Sequence, residues 1–162
     1  MRNSFTLIEM IFVIVVIGIL AAIAIPKYMK LKAHSVIESM SYTMTTGLEE
    51  AVSLAMNYMD LENNDTFKLG DVLKIPDDKE LAPGLKWNYT TRGSYNVDGT
   101  YSLRDETYST PKIVMRITLF KDKRTITYRI NCKNLKTTTH PVLRELCIAK
   151  WGDEDIEDNI TF

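Results

Sequence analysis

At 162 residues, with 45% apolar and 25% charged side chains and a net charge of −1, the chain has room for about one domain. It is too apolar to be disordered and is not uniformly basic as a general nucleic-acid binder is. Seven glycines, five prolines and two cysteines exclude collagen, low complexity and a disulfide-dense scaffold.

The first element is an apolar run from position 5 to 25, interrupted only by Thr6, Glu9 and Gly18. As a helix it is long enough to cross about 30 Å of hydrocarbon. A membrane anchor and a cleavable secretory signal both fit it. Arg2 gives a positive start, and Ala22-Ile23-Ala24 has the small-x-small form of a cleavage site. Glu9 favours the anchor, because a carboxylate inside such a run costs about 2.5–3.5 kcal/mol and calls for a partner that a disposable signal has no use for. The plainer role for Glu9 is snorkelling to the headgroups.

Ser4-Phe5-Thr6-Leu7-Ile8-Glu9-Met10, followed by the apolar run, Gly18 and Ala21-Ala22-Ile23-Ala24-Ile25-Pro26-Lys27-Tyr28, resembles the prepilin signal of type IV pilins and type II secretion pseudopilins. The resemblance covers residues 1–32. It implies a leader at 1–4, cleavage between Ser4 and Phe5 by a prepilin peptidase, and N-methylation of Phe5. Ser4 stands where the family usually has Gly. Glu9 would then be the fifth mature residue, pairing with the terminal amine of a neighbouring subunit and setting the register of a growing filament. The implied partners are other pilins or pseudopilins, the peptidase, an inner-membrane assembly platform and lipid. The implied location is the bacterial inner membrane, single-pass with a periplasmic head, or a cell-surface filament. Lys27, Lys30 and Lys32 outnumber Arg2, so the positive-inside rule alone would put the head in the cytoplasm.

The helical pattern continues through residues 26–59. Ala33, Ile37, Met40, Met44, Leu48, Ala51, Ala55 and Met59 recur at steps of three and four, one stripe of an amphipathic helix that serves core packing. Gly18 and Pro26 are the expected sites of bending or local melting. Asn63, Asn64 and Asp65 end the helix, and a polar connection leads to a turn at Pro83-Gly84. Beyond it the period becomes two. Strands are expected over 86–91 and near 95–103. The clearest hairpin is 112–120 returning as 125–131, with Ile113, Met115, Ile117 and Leu119 facing Ile126, Tyr128 and Ile130, and 121–124 as its loop. Residues 142–149 fit a strand or a short helix. The expected class is therefore α+β, a long N-terminal helix packed on an antiparallel sheet head, which occupies residues 60–162 with its connecting loop and C-terminal disulfide region. The pilin resemblance implies the same layout.

Many type IV pilins close a C-terminal disulfide loop where Cys132 and Cys147 stand, so the resemblance implies a bridge; two separate buried thiols are the alternative. Most pseudopilins of secretion systems lack such a bridge. A loop of about 15 residues is worth around 3 kcal/mol on the chain-entropy argument. His34 and His140 add no metal cluster of recognised spacing.

Eight basic residues between 112 and 136, among them Lys121, Lys123, Arg124 and Arg129, stand against one acid, Asp122. They could form a DNA-binding face. A solvated, lysine-blunted sheet edge or a subunit contact is the reading favoured here. Asp153, Glu154, Asp155, Glu157 and Asp158 form an acidic tail. Calcium there would lack the ordered spacing of a calcium loop, so no cofactor is assigned and a mobile, solvated tail is expected.

Asn64-Asp65-Thr66, Asn88-Tyr89-Thr90 and Asn159-Ile160-Thr161 match the minimal glycosylation acceptor, and Glu62 and Glu157 give two of them an acid two residues earlier. Matches of three residues are common by chance. No glycine-rich phosphate loop, HExxH or nucleophile elbow is present, so no enzyme activity is assigned. The sequence therefore reads as a pilin-like filament subunit. Its alternatives are a type II secretion pseudopilin and, from another class, a monomeric membrane-anchored protein that binds or takes up DNA.

Overall fold

The computed structural model describes residues 6–91 and 97–162. One continuous helical rod runs Leu7–Leu61, 55 residues and about 80 Å at 1.5 Å per residue. It consists of α1 (Leu7–Tyr42), a π-turn (Thr43–Gly47), α2 (Leu48–Met56) and a second π-turn (Asn57–Leu61).

The expected melting at Gly18 and Pro26 does not occur: α1 stays helical through both. The irregularities fall instead at the π-turns. The Thr43 hydroxyl donates to the Ser39 carbonyl (3.0 Å) and the Thr45 hydroxyl to that of Ser41 (3.1 Å). Hydroxyls that occupy i−4 carbonyls loosen the ladder there and accommodate one extra residue per turn.

Only the second half of the rod is covered. Ala33, Val36, Ile37 and Met40 of α1, then Leu48, Ala51 and Ala55 of α2, are buried, while Met44 and Met59 pack against the core half-buried. This is the stripe that the periodicity predicts, with Val36 added. A short loop and the four-residue α3 (Leu69–Val72) follow, then a six-stranded antiparallel meander in spatial order β1 to β6. The strands are β1 (Glu80–Ala82), β2 (Leu85–Thr90), β3 (Thr100–Asp105), β4 (Lys112–Phe120), β5 (Thr125–Ile130) and β6 (Ile156–Thr161). Of the strand expected near 95–103, residues 95 and 96 lie outside the described residues, and β3 reaches Asp105.

Met115, Ile117 and Leu119 of β4 pair in register with Ile130, Tyr128 and Ile126 of β5, so the alternation read from the sequence is the core face of the sheet. A bulge sets Leu103 opposite Met115 and Arg104 opposite Ile113. Val114 becomes the extra residue and is buried as well. Gly84, in the β1–β2 turn at φ 74, lies against Thr107, where a Cβ would come within 2.6 Å of Cγ2. Glycine alone fits that turn.

Residues 142–149, left open between strand and helix, lie in α4 (Pro141–Trp151), which begins with proline in its first turn and ends at Gly152 (φ 92). α4 packs against α1, with the Lys150 ammonium donating to the Glu38 carboxylate at 3.0 Å. The sharpest departure from expectation is the acidic tail. Glu157 and Asp158 lie in the edge strand β6, paired with Arg129 and Tyr128 on β5, and Asp153, Glu154 and Asp155 form the bend that leads into it.

Candidate functional site

Thr6 caps α1. Its extended backbone places its hydroxyl to accept the Glu9 N–H (3.4 Å), while Glu9 Oε2 accepts the Thr6 N–H (2.8 Å) and hydroxyl (2.7 Å). This reciprocal capping box satisfies two otherwise orphaned donors and sets the carboxylate at the positive end of the helix. Glu9 remains exposed, surrounded by Leu7, Ile8 and Phe12, which are 79%, 74% and 69% exposed. None of the most apolar stretch of the rod is buried in the chain itself. A surface that size needs lipid or other helices to cover it. Gly18 lies on it, and a Cβ there would meet nothing within 4 Å. Lys27, Lys30 and Lys32 follow the apolar run, all exposed, placed to reach headgroups. The predicted leader and the cleavage and methylation positions Ser4 and Phe5 lie outside the described residues.

In the head, beside the middle of the rod, the disulfide joins Cys132, in a 3-10 turn (Cys132–Asn134), to Cys147 on α4, with Cα atoms 5.6 Å apart. The enclosed loop is docked from within by Leu135 and Leu143, both buried. It is also held by the Asp105 carboxylate, which accepts the Lys136 N–H (2.8 Å) together with the N–H (3.0 Å) and hydroxyl (2.5 Å) of Thr107. His140, before α4, is buried with its Nε2 3.9 Å from Asp105. Burial holds its imidazole below the ordinary value, and the Asp105 charge opposes that. Sequence reasoning missed Asp105 and weighed His140 only as a metal ligand. Asp105-Glu106-Thr107 has the look of an ordinary turn, and the donor that ties it to the disulfide loop, the Lys136 N–H, comes from 31 residues away.

The basic residues of the hairpin are largely neutralised within the chain. Lys121 pairs with Asp98 (3.2 Å) and donates to the Asp65 carbonyl; Arg124 pairs with Asp60, Arg129 with Asp155, and Lys133 with Asp153 (3.3 Å). Lys123 lies over the Phe120 ring. Pairing with Asp155 raises the Arg129 guanidinium further, while burial, then Asp158, push the Tyr128 phenol up. Among the described residues, Arg116 alone of the eight has a side chain with no hydrogen-bond, ion-pair or ring contact. The matching acids are therefore this chain's own: Asp60 at the end of the rod, Asp98 before β3, and Asp153 and Asp155 before β6. No group of three His, Cys, Asp or Glu side chains that could hold a metal occurs among the described residues.

Residues 1–25 match the family described as the prokaryotic N-terminal methylation motif. A fimbrial protein of Moraxella nonliquefaciens is 44% identical over 52 residues, 32% of this chain and 33% of that relative. The match thus spans about a third of that curated relative's length. No solved structure matches the chain.

Proposed function

We propose that this chain, a pilin-type subunit by its methylation motif and its fimbrial relative, is a structural subunit of a type IV pilus-type helical filament. The observation that carries the reading is the wholly uncovered apolar half of α1 with one acid, Glu9, in its first turn. Such a helix is stable in a bilayer, and equally so when other helices of its kind replace the lipid. The exchange costs little apolar transfer energy, so packing and polar pairing decide it. Gly18 fits this account, since small residues allow close approach of neighbouring helices and no packing within the chain requires one there. Cleavage before Phe5 would create an ammonium close to the depth of Glu9. Pairing that amine with the Glu9 of a neighbour would neutralise both charges in a low-dielectric core.

The head would face the periplasm, where a disulfide such as Cys132–Cys147 forms and persists. That bridge and the fimbrial relative support the pilus over a secretion pseudopilin. The processing claim is tested by mass spectrometry of the chain isolated from its producing cell. A mature chain beginning at methylated Phe5 supports the reading. A chain beginning at Ile25 would establish a secretory signal and overturn it.

A further inference from the structure

Three acceptor-type tripeptides occur in the chain, and the fold treats them differently. Asn88 lies in β2, hydrogen-bonded into the ladder opposite Ser102, with the cation Lys86 two residues before it. Asn159 lies in β6 opposite Thr127. In a strand, residues two apart stand about 6.7 Å apart on one face, and among the described residues no hydrogen bond joins the Thr161 hydroxyl to the Asn159 carboxamide. Asn64 is in the loop at 62–68, between the end of the rod and α3, and belongs to no strand or helix. There the chain turns back on itself. Asn64 Oδ1 accepts both the N–H (2.9 Å) and the hydroxyl (2.7 Å) of Thr66. Glu62, two residues earlier, is exposed, and so are Asp65 and Thr66. Among the described residues the Asn64 Nδ2 makes no hydrogen bond.

We infer that Asn64 is an acceptor for an N-linked oligosaccharide, delivered from a lipid-pyrophosphate carrier by a transferase that reads an acid two residues before the asparagine. The Asx-turn fixes the orientation of the carboxamide and holds the hydroxyl beside it, so the two groups such a transferase must grip together are presented together. The ordering entropy of that presentation is already lost on folding. Glu62 is held in place by the Asn57 side chain, which donates to its Oε1 at 3.1 Å. In the transfer, Nδ2 of Asn64 forms a bond to the anomeric carbon while the bond from that carbon to the pyrophosphate oxygen breaks. The lipid pyrophosphate leaves with the electron pair, and one Nδ2 proton passes to a base on the transferase. The contacts that brace the loop, Asn64 N–H to the Tyr58 carbonyl (2.8 Å) and the Lys121 ammonium, from just past the end of β4, to the Asp65 carbonyl, lie outside the strand ladders. A transferase can therefore lift the segment without breaking a sheet ladder.

The test uses the full chain, purified with its disulfide intact. It is incubated with a purified bacterial oligosaccharyltransferase of the acid-requiring class and a short lipid-pyrophosphate oligosaccharide, and is read by intact mass and peptide mapping. One glycan is expected, on the peptide containing Asn64. It should be absent in Asn64→Gln and Thr66→Val, at least tenfold slower to form in Glu62→Gln, and unchanged in Asn159→Gln. An unmodified wild-type chain, or modification of Asn159 at a rate equal to that of Asn64, would overturn the assignment.

Discussion

The Asp105 carboxylate, fully buried at the end of β3, accepts the backbone N–H of Lys136 at 2.8 Å, inside the loop closed by Cys132–Cys147. The sheet and the disulfide loop are therefore joined by a second, non-covalent tie, which also takes both donors of Thr107. Replacing Asp105 by Ala leaves three donors without their acceptor. With each hydrogen bond to a charged group worth about 1.5–3 kcal/mol, partial hydration of the gap still leaves a loss of about 3 kcal/mol. In a denaturant titration of the full chain in detergent, the midpoint of Asp105→Ala should fall while the slope stays unchanged.

The same tie governs what the disulfide does. Replacing Cys132 and Cys147 together by Ser should cost about 3 kcal/mol for a loop of this length. The loop should nevertheless remain docked, because Leu135, Leu143 and the Asp105 bond do not depend on the bridge. Hydrogen exchange at the Lys136 amide is the measurement. Continued protection is expected in the double variant, and exchange as fast as in unfolded chain would contradict it.

The sheet and the rod were legible to different depths in the sequence. The β4–β5 hairpin was plain because β4 alternates from Met115 onward and β5 throughout, with Met115, Ile117 and Leu119 against Ile126, Tyr128 and Ile130. β6 was not, because Glu157, Asp158 and Asn159 mask the spacing of Ile156 and Ile160, and a charge run normally means a solvated tail. The strand is held by its ladder to β5, and the bend before it by Arg129 and Lys133, residues from another part of the chain that pair with Asp155 and Asp153. α4 stayed ambiguous because eight residues fit either period, and Pro141, permitted at a helix start, decided nothing until α1 was seen beside it. At the start of the rod, Glu9 stood out as the lone acid in an apolar run, but its capping by Thr6 depends on the extended backbone at that residue. The π-turns were invisible, since Thr43 and Thr45 could as well have pointed to solvent.

His140 makes the head sensitive to acid. Burial depresses its imidazole below 6.5. The charged and titratable groups around it are Asp105 from β3 at 3.9 Å, Lys136 in the disulfide loop, and Lys32 and Tyr28 from α1, which line the same cavity. Between the depressed value and 6.5 the native state binds fewer protons than the unfolded chain, so stability rises with pH through that window. Lowering the pH below 6.5 should therefore reduce the denaturation midpoint until the native imidazole itself protonates. His140→Gln should flatten this segment of the profile. A profile unchanged by that substitution would assign the dependence to other groups.

The central claim is that the exposed apolar helix is an assembly surface whose one acid matches the terminal amine of a neighbour. Glu9→Ala removes the carboxylate and its bonds to Thr6, which loosens the first turn. It also removes a charge that opposes insertion. Filament yield sheared from cells producing the variant, measured alongside its level in the membrane fraction, tests the claim most directly. The account predicts undiminished membrane insertion with filaments reduced at least tenfold, whereas wild-type filament yield from Glu9→Ala would contradict it.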